Sequence, residues 1–478
     1  MNAVIRRTAA LCAVLSAAGA AGCGPATPPA AAPVAPGVTS KAVCGPGSRP
    51  ETGLQGRVSR AEHESGRAAQ GYTCNTELVG SYTVPNPMGT VGGFKVERYT
   101  DAAGRDCAYY DTTLLYPTNA FDLEAGVNVL DMSDPAKPLF VTQLVTPAML
   151  SPHESVVLSQ EAGVLAAVTG NPLFYPGVVD VYDVSADCRY PQLRYSAPLG
   201  FLGHESGISP DGKTFYSASP GTPTLTAVDI ADLSVPKPLW TGPYYSHGLS
   251  IGADGNRAYV AAGNDQGLLI LDTSEIQARM PNPQVREVGS LTWETMTIPQ
   301  NAIPVTIKGK PYVVEVDEYS RSSGGGDAIV AAHGDVVGAA RIIDISDETR
   351  PVVVSDLRLE VHQPENREAI ADDPGAQNPT QGYAAHYCNV PTRVDPPIVA
   401  CSMIISGLRV FDIRNPRKPR EVAYFNAPVP PRDTPYFEAS NWAMSSPSFV
   451  PERREIWYTD GFSGFYVVRL TNQAWPNP

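Results

Sequence analysis

Positive charge is scarce in this chain. Its 35 lysines and arginines face 49 aspartates and glutamates over 478 residues, a formal charge of −14. A protein that grips nucleic acid sets a basic footprint against the phosphates, so this balance argues against such a partner. No polybasic patch is offered to an anionic membrane. Past the N-terminus no apolar run is long enough to span a bilayer. Heptads and long amphipathic stretches are also missing, so little helix is expected. Histidine is rarer still, with 7 in the whole sequence.

The N-terminus reads as an export signal. Arg6 and Arg7 precede a small and apolar stretch from Thr8 to Ala21, which runs into Gly22 and Cys23. The small-small-Cys ending resembles a bacterial lipoprotein box, with Cys23 as the lipidated residue, although Ala20 stands where leucine is usual. Plain secretion is the alternative. The expected organisation is a signal segment over 1–23, a Pro/Ala-rich tether over 24–40, an irregular strap over 41–76 and the repeats over 77–472. The membrane is touched only through the lipid.

Export licenses disulfides. With Cys12 and Cys23 set aside, the cysteines are 44, 74, 107, 188, 388 and 401. An even count suits full pairing, and many connectivities are open. Cys388 and Cys401 flank a Thr-Arg-Val-Asp-Pro-Pro turn and can face each other across a hairpin. Cys74 with Cys107 is the second expected pair.

One phrase recurs along the chain. Gly407 to Pro419 is a short apolar strand, then Asp412, then a turn punctuated by proline. Gly126 to Pro138 is nearly a copy, and looser copies end at Asp183, Asp229, Asp272 and Asp344; Arg469 takes the place of the aspartate in the last. Repeats spaced roughly 40–70 residues apart are read as stacked or radial units. Each aspartate is expected to cap its turn by accepting backbone N–H groups. Thr76 to Val84 resembles the segments that follow these turns, which should be outermost strands, whereas the last repeat ends on a third strand. The N-terminal strand would therefore complete the last repeat. The fold class expected is all-β, a seven-bladed β-propeller.

The phrase Gly-Leu-x-Val-x-Asp-Ile-x-Asn-Pro-x-x-Pro at 407–419 looks like the LVIVD repeat of bacterial and archaeal surface proteins. The resemblance covers nearly all of the chain after residue 76. It implies a propeller at the cell surface and carries no settled activity.

Aligning the strands that open each repeat brings out a second register. His153, His204, His247 and His386 share one position. Four residues on stand Val157, Ile208, Ile251 and Val390; Asn301 and Ser446 fill the slot in the fifth and seventh repeats. The long insertions 294–300, 315–337, 358–385 and 427–441 emerge on the face where these strands begin. The histidines should ring the channel mouth beneath them. Imidazole suits zinc, copper and iron, so a single transition-metal ion is the candidate cofactor. Glu154 and Glu205 follow two of the histidines, should point away from them in a strand, and could orient a neighbour, as could Asn301 and Ser446. A histidine-lined propeller mouth is similar in outline to that of carotenoid-cleaving oxygenases and selenium-binding-protein-type oxidases, whose sequence motifs are absent here. The opposing reading is a channel that holds ordered water. Glu315, Asp317 and Glu318 read as a solvated loop, His63 as a solvated side chain, and His333 and His362 as surface residues. Two functions follow: a surface propeller that binds an unknown protein or small molecule through its loop-rich face, or a secreted metalloenzyme, such as an oxidoreductase, using the histidine ring.

Overall fold

The computed structural model describes residues 37–84, 90–112, 125–170, 175–263, 266–319, 336–376, 382–429 and 440–476. The signal segment, Cys23, Gly324–Gly326 and His333 lie outside them. The chain folds as a seven-bladed β-propeller. Blade 1 is Val96–Thr100, Asp106–Asp111, Val127–Asp131 and Leu139–Leu144. Blade 2 begins at Val157, blade 3 at Ser206, blade 4 at Gly248, blade 5 at Ile298 and blade 6 at Tyr387. Blade 7 has Ser448–Val450, Glu455–Asp460 and Gly464–Leu470, and its fourth strand is Thr76–Tyr82, antiparallel to Gly464–Leu470 with Thr76 opposite Leu470. Tyr72–Cys74 adds a fifth strand to blade 6 along Arg420–Asn426.

Burial explains the strand order. The second strand of blade 2, Val164–Val168, is apolar and buried at every residue, whereas the outer strand Gln192–Gly200 is largely exposed. An inner strand is covered on both faces by neighbouring sheets, so it reads as an unbroken apolar run. The core is accordingly divided among the seams. Val164, Val179 and Val181 of blade 2 pack with Phe215 and Val228 of blade 3, and Leu268 and Ile270 of blade 4 with Val313 and Ile343 of blade 5.

The recurrent aspartates do what their turns require. Oδ1 of Asp131, Asp183, Asp229, Asp272, Asp344 and Asp412 each accepts the backbone N–H two residues on, at 2.9–3.1 Å. Arg469 instead bridges Glu77 and Glu455 on the strands either side of it.

Among the described residues there are three disulfides: Cys44–Cys74, Cys107–Cys188 and Cys388–Cys401. Cys388 and Cys401 are directly opposed across the first hairpin of blade 6. The expected Cys74–Cys107 pair is corrected. Cys74 lies on the strand added to blade 6, where Cys44 of the preceding segment reaches it, and Cys107 belongs to the second strand of blade 1. Two further expectations fail. The second strand of blade 5 continues to Glu318, so Glu315 and Asp317 are strand residues, buried and ion-paired with Arg341. His362 is fully buried, its Nδ1 accepting from the Leu359 N–H; burial and the cation of Arg358 hold it well below the usual imidazole range.

Candidate metal centre

The opening strands of successive blades pack on one another around the axis, with backbone bridges from Lys95 to Ser446 and from Glu154 to Glu205. Each histidine enters at the head of such a strand. His247 and His386 immediately precede theirs; His204 stands two residues ahead of Ser206, and His153 four ahead of Val157. This brings the four rings to one place. Ring centroids are 4.4 Å apart for His153 and His204 and 5.0 Å for His204 and His247. Phe94 packs against His153 at 4.4 Å and against His386 at 5.2 Å.

Two carboxylates share the space. Glu154 Oε1 lies 3.1 Å from His386 Nε2 and 3.6 Å from His153 Nε2. Its Oε2 lies 3.5 Å from His204 Nε2 and 3.8 Å from His247 Nε2. Glu318 stands 3.4 Å from both His247 Nε2 and His386 Nε2. The Nε2 atoms of His204 and His247 are 3.2 Å apart. Donor atoms of His153, Glu154 and His204 all fall within 4.8 Å of one another.

The tautomers follow from the other ring nitrogen. Nδ1 of His204, His247 and His386 faces the carbonyl oxygens of Gly170, Pro299 and Met444 at 3.1, 2.9 and 2.7 Å. A carbonyl can only accept, so each Nδ1 carries a proton and a neutral ring turns its Nε2 lone pair inward. Charge follows the same geometry. Burial opposes ionisation of Glu154, yet the surrounding His204, His153 and His386 hold it well below the usual carboxylate range. Burial and the neighbouring His153 press His204 well below the usual imidazole range. Burial also works against a charged His386, but Glu154 and Glu318 beside its Nε2 outweigh it and push that ring up to about 10.

Strict strand alternation would turn Glu154 away from His153. It fails here because His153 adopts φ +50°, a left-handed conformation costing a non-glycine residue roughly 1–3 kcal/mol. Consecutive side chains therefore both face the axis. Glu205 keeps the alternation and serves a layer below: its Oε1 takes Lys95 Nζ at 2.7 Å and Asn301 Nδ2 at 2.5 Å. The carboxylate fills the space over Gly248, where a Cβ would collide with Glu205 Oε2 and the Gln300 carbonyl.

Asn301 is not the fifth-blade counterpart of the histidines. A bulge between Pro299 and Asn301 shifts the register. Gln300 takes the inward position, donating to Glu154 Oε2, as does Tyr387 Oη at 3.1 Å. Ser446 lies below the ring, beside Lys95. Sequence reasoning missed Gln300, Glu318, Tyr387 and Phe94. Only Glu318 left a signal: in Val313-Val-Glu-Val-Asp-Glu318 it falls on the opposite strand face from Glu315 and Asp317.

Residues 248–276 match the family model of the LVIVD repeat, a stretch that takes in the first three strands of blade 4. No curated protein matches the chain. Among solved structures it is similar to Kuenenia stuttgartiensis hydrazine synthase, at 12% identity over 81% of this chain and 97% of that one, with a TM-score of 0.48. It is similar to a functionally unknown protein from Desulfotomaculum acetoxidans at 13% identity, over 73% and 95% of the two chains, TM-score 0.43. A putative 6-phosphogluconolactonase from Bacteroides fragilis is similar at 12% identity, over 82% and 92%, TM-score 0.43. The disulfides fit an exported protein, and no helix among the described residues is long and apolar enough to cross a membrane. The chain is thus a seven-bladed β-propeller that carries the LVIVD repeat in its fourth blade.

Proposed function

We propose that the head of the channel is a mononuclear transition-metal centre and that the protein is an exported metalloenzyme built around it. The observation that carries this reading is the convergence of four imidazole Nε2 atoms on two buried carboxylates, with no lysine or arginine of the described residues among the ion pairs of Glu154. A buried carboxylate calls for a positive partner, and among the described residues imidazolium protons or a bound cation are placed to supply it. The spacing suits a cation. With bonds of ~2.1 Å, donor atoms stand ~3.0 Å apart at octahedral angles and ~3.4 Å at tetrahedral ones; the separations here run from 3.1 to 3.8 Å.

The donors are His153, His204, His247 and His386 through Nε2, with Glu154 and Glu318 as carboxylate partners. A mixed imidazole and carboxylate set suits iron, manganese, zinc or copper. More than four donors fits a catalytic centre better than a closed tetrahedral zinc site. Such an ion supplies Lewis acidity and, if redox-active, single-electron chemistry. The chain's own part is to fix the rings through Gly170, Pro299 and Met444, to hold Glu154 through Gln300 and Tyr387, and to exclude bulk water. Export, with Cys23 as a lipid anchor, belongs to the same proposal.

The test is elemental analysis of the full chain, exported through an oxidising compartment and purified without a nickel column. One transition-metal ion per chain is expected, and none in His204→Ala/His247→Ala that still melts cooperatively. A metal-free protein that also gives no ligand-field absorption with added Co²⁺ would overturn the proposal. The second reading is a binding module whose loop-rich face takes an unknown protein or small molecule; the propeller fold and the LVIVD repeat support it. It predicts that the double variant keeps its partner.

A further inference from the structure

The axis continues below the histidines. A chamber of about 210 Å³ is lined by Lys95, Glu97, Glu205, Ser250, Asn301 and Ser446. It opens toward the turns between first and second strands, where a funnel of about 1040 Å³ reaches the surface. Leu158, Ile208, Ile251 and Arg393 line both, so the two spaces meet at this ring. Leu158 and Ile208 are only half-buried, as expected of side chains facing solvent in a passage. At ~30 Å³ per water, the chamber has room for several.

The inner end is a polar floor beneath the metal centre. Lys95 Nζ pairs with Glu205 and lies 4.2 Å from the centroid of the Tyr387 ring, whose hydroxyl reaches Glu154. Lys95 satisfies one oxygen of Glu205 only. Glu205 Oε2 and Asn301 Oδ1 are buried without a hydrogen-bond partner, as is the Ser206 hydroxyl oxygen. Unmade bonds at buried acceptors are costly, and acceptors left over in a polar chamber call for a donor or a positive charge. Charge along the passage has the same sense. In the chamber Glu97 and Glu205 stand against Lys95 and Arg393, and over chamber and funnel together the carboxylates Glu97, Glu161, Glu205, Asp254 and Glu348 outnumber Lys95, Arg257 and Arg393.

We propose that the chamber is a binding site for a small hydrated cation, reached from the turn face through the ring at Ile208 and held by Glu97, Glu205 and Asn301. It is distinct from the histidine centre and stands whether or not the histidines hold a metal. Carboxylates along a narrow passage concentrate cations and slow anions.

The six cysteines of the repeats and strap are bridged, so a chain with Cys12→Ser and Cys23→Ser offers no other thiol to an introduced probe. Ser250→Cys places one in the chamber. Its rate of modification is measured with two methanethiosulfonate reagents of similar size, one bearing trimethylammonium and one bearing sulfonate. The cationic reagent is expected to react at least tenfold faster. Glu97→Gln should lower that ratio severalfold, and Ile208→Trp should slow both reagents tenfold or more at an unchanged melting temperature. If Ile208→Trp does not fold, Leu158→Trp narrows the same ring. Equal rates for the two reagents would overturn the cation site. A thiol that reacts only after denaturation, or at an undiminished rate behind the tryptophan, would overturn the passage. Neither outcome touches the metal content of the histidine centre.

Discussion

Asp111 is a carboxyl sealed inside blade 1. One oxygen accepts the N–H groups of Phe94 and Lys95 at 2.9 and 3.0 Å, and the other has no partner. Burial, with some repulsion from Glu154, pushes it up to about 7 despite those bonds. Because the folded value lies above the unfolded one, its contribution is most favourable below about pH 4 and is lost as pH rises through about 7. The shift corresponds to roughly 4 kcal/mol. Asp111→Asn keeps an acceptor for both N–H groups and never ionises. Urea unfolding should therefore show the variant gaining on the wild type between pH 4.5 and pH 7.5; a constant difference across that range would refute the account. The same scale marks how far the sequence could be read. The four histidines were legible because each sits at a fixed offset from the apolar residues that open a blade. Glu154 was misjudged because its inward turn depends on one left-handed residue, His153. Gln300 was missed because a single bulge moved it into the slot counted for Asn301. Backbone irregularities of that kind leave no periodic trace.

Strands and turns were more legible than their cross-links. The recurrent aspartate has a local job, accepting an N–H two residues away, so its phrase survives at every third strand where it occurs. Disulfides answer to proximity between blades, which sequence order does not report. Cys107 in blade 1 meets Cys188 in the turn before the outer strand of blade 2, across 81 residues. Cys388 and Cys401 close only 13 residues within one hairpin. In the chain-entropy picture, constraint of the unfolded state is worth about 4.5 kcal/mol for the first loop and about 3 kcal/mol for the second. Cys107→Ser/Cys188→Ser should therefore lower the unfolding midpoint more than Cys388→Ser/Cys401→Ser, and it also unpins two blades rather than one hairpin. Equal losses in the two double variants would show that loop length is not what the longer bridge contributes.

At the scale of the whole molecule, the repeat count and the ring were legible, but the weight carried by the segment before residue 76 was not. That segment reaches blade 6 at two depths. Cys44 holds Cys74, and Glu51 pairs with the fully buried Arg409 at 2.7 Å, with Glu421 on its other side at 3.0 Å. Removing Glu51 leaves Arg409 paired with Glu421 alone and takes the charge-assisted hydrogen bond from its Nη2, a loss of roughly 1.5–3 kcal/mol. Thr76–Tyr82 contributes differently, since it covers the edge of Gly464–Leu470 through pairings from Thr76 to Tyr82. Without it that strand would offer a row of unpaired backbone groups to another chain. Two truncations separate these roles. A chain beginning at Gly71, with Cys74→Ser, should stay monomeric and melt cooperatively at a lower temperature. A chain beginning at Thr90 loses the covering strand as well and should elute as aggregate on size exclusion. A monomer with the same melting temperature from the shorter chain would mean that seven sheets hold together with that edge bare, and the stability of the ring would have to be sought in the seams between blades.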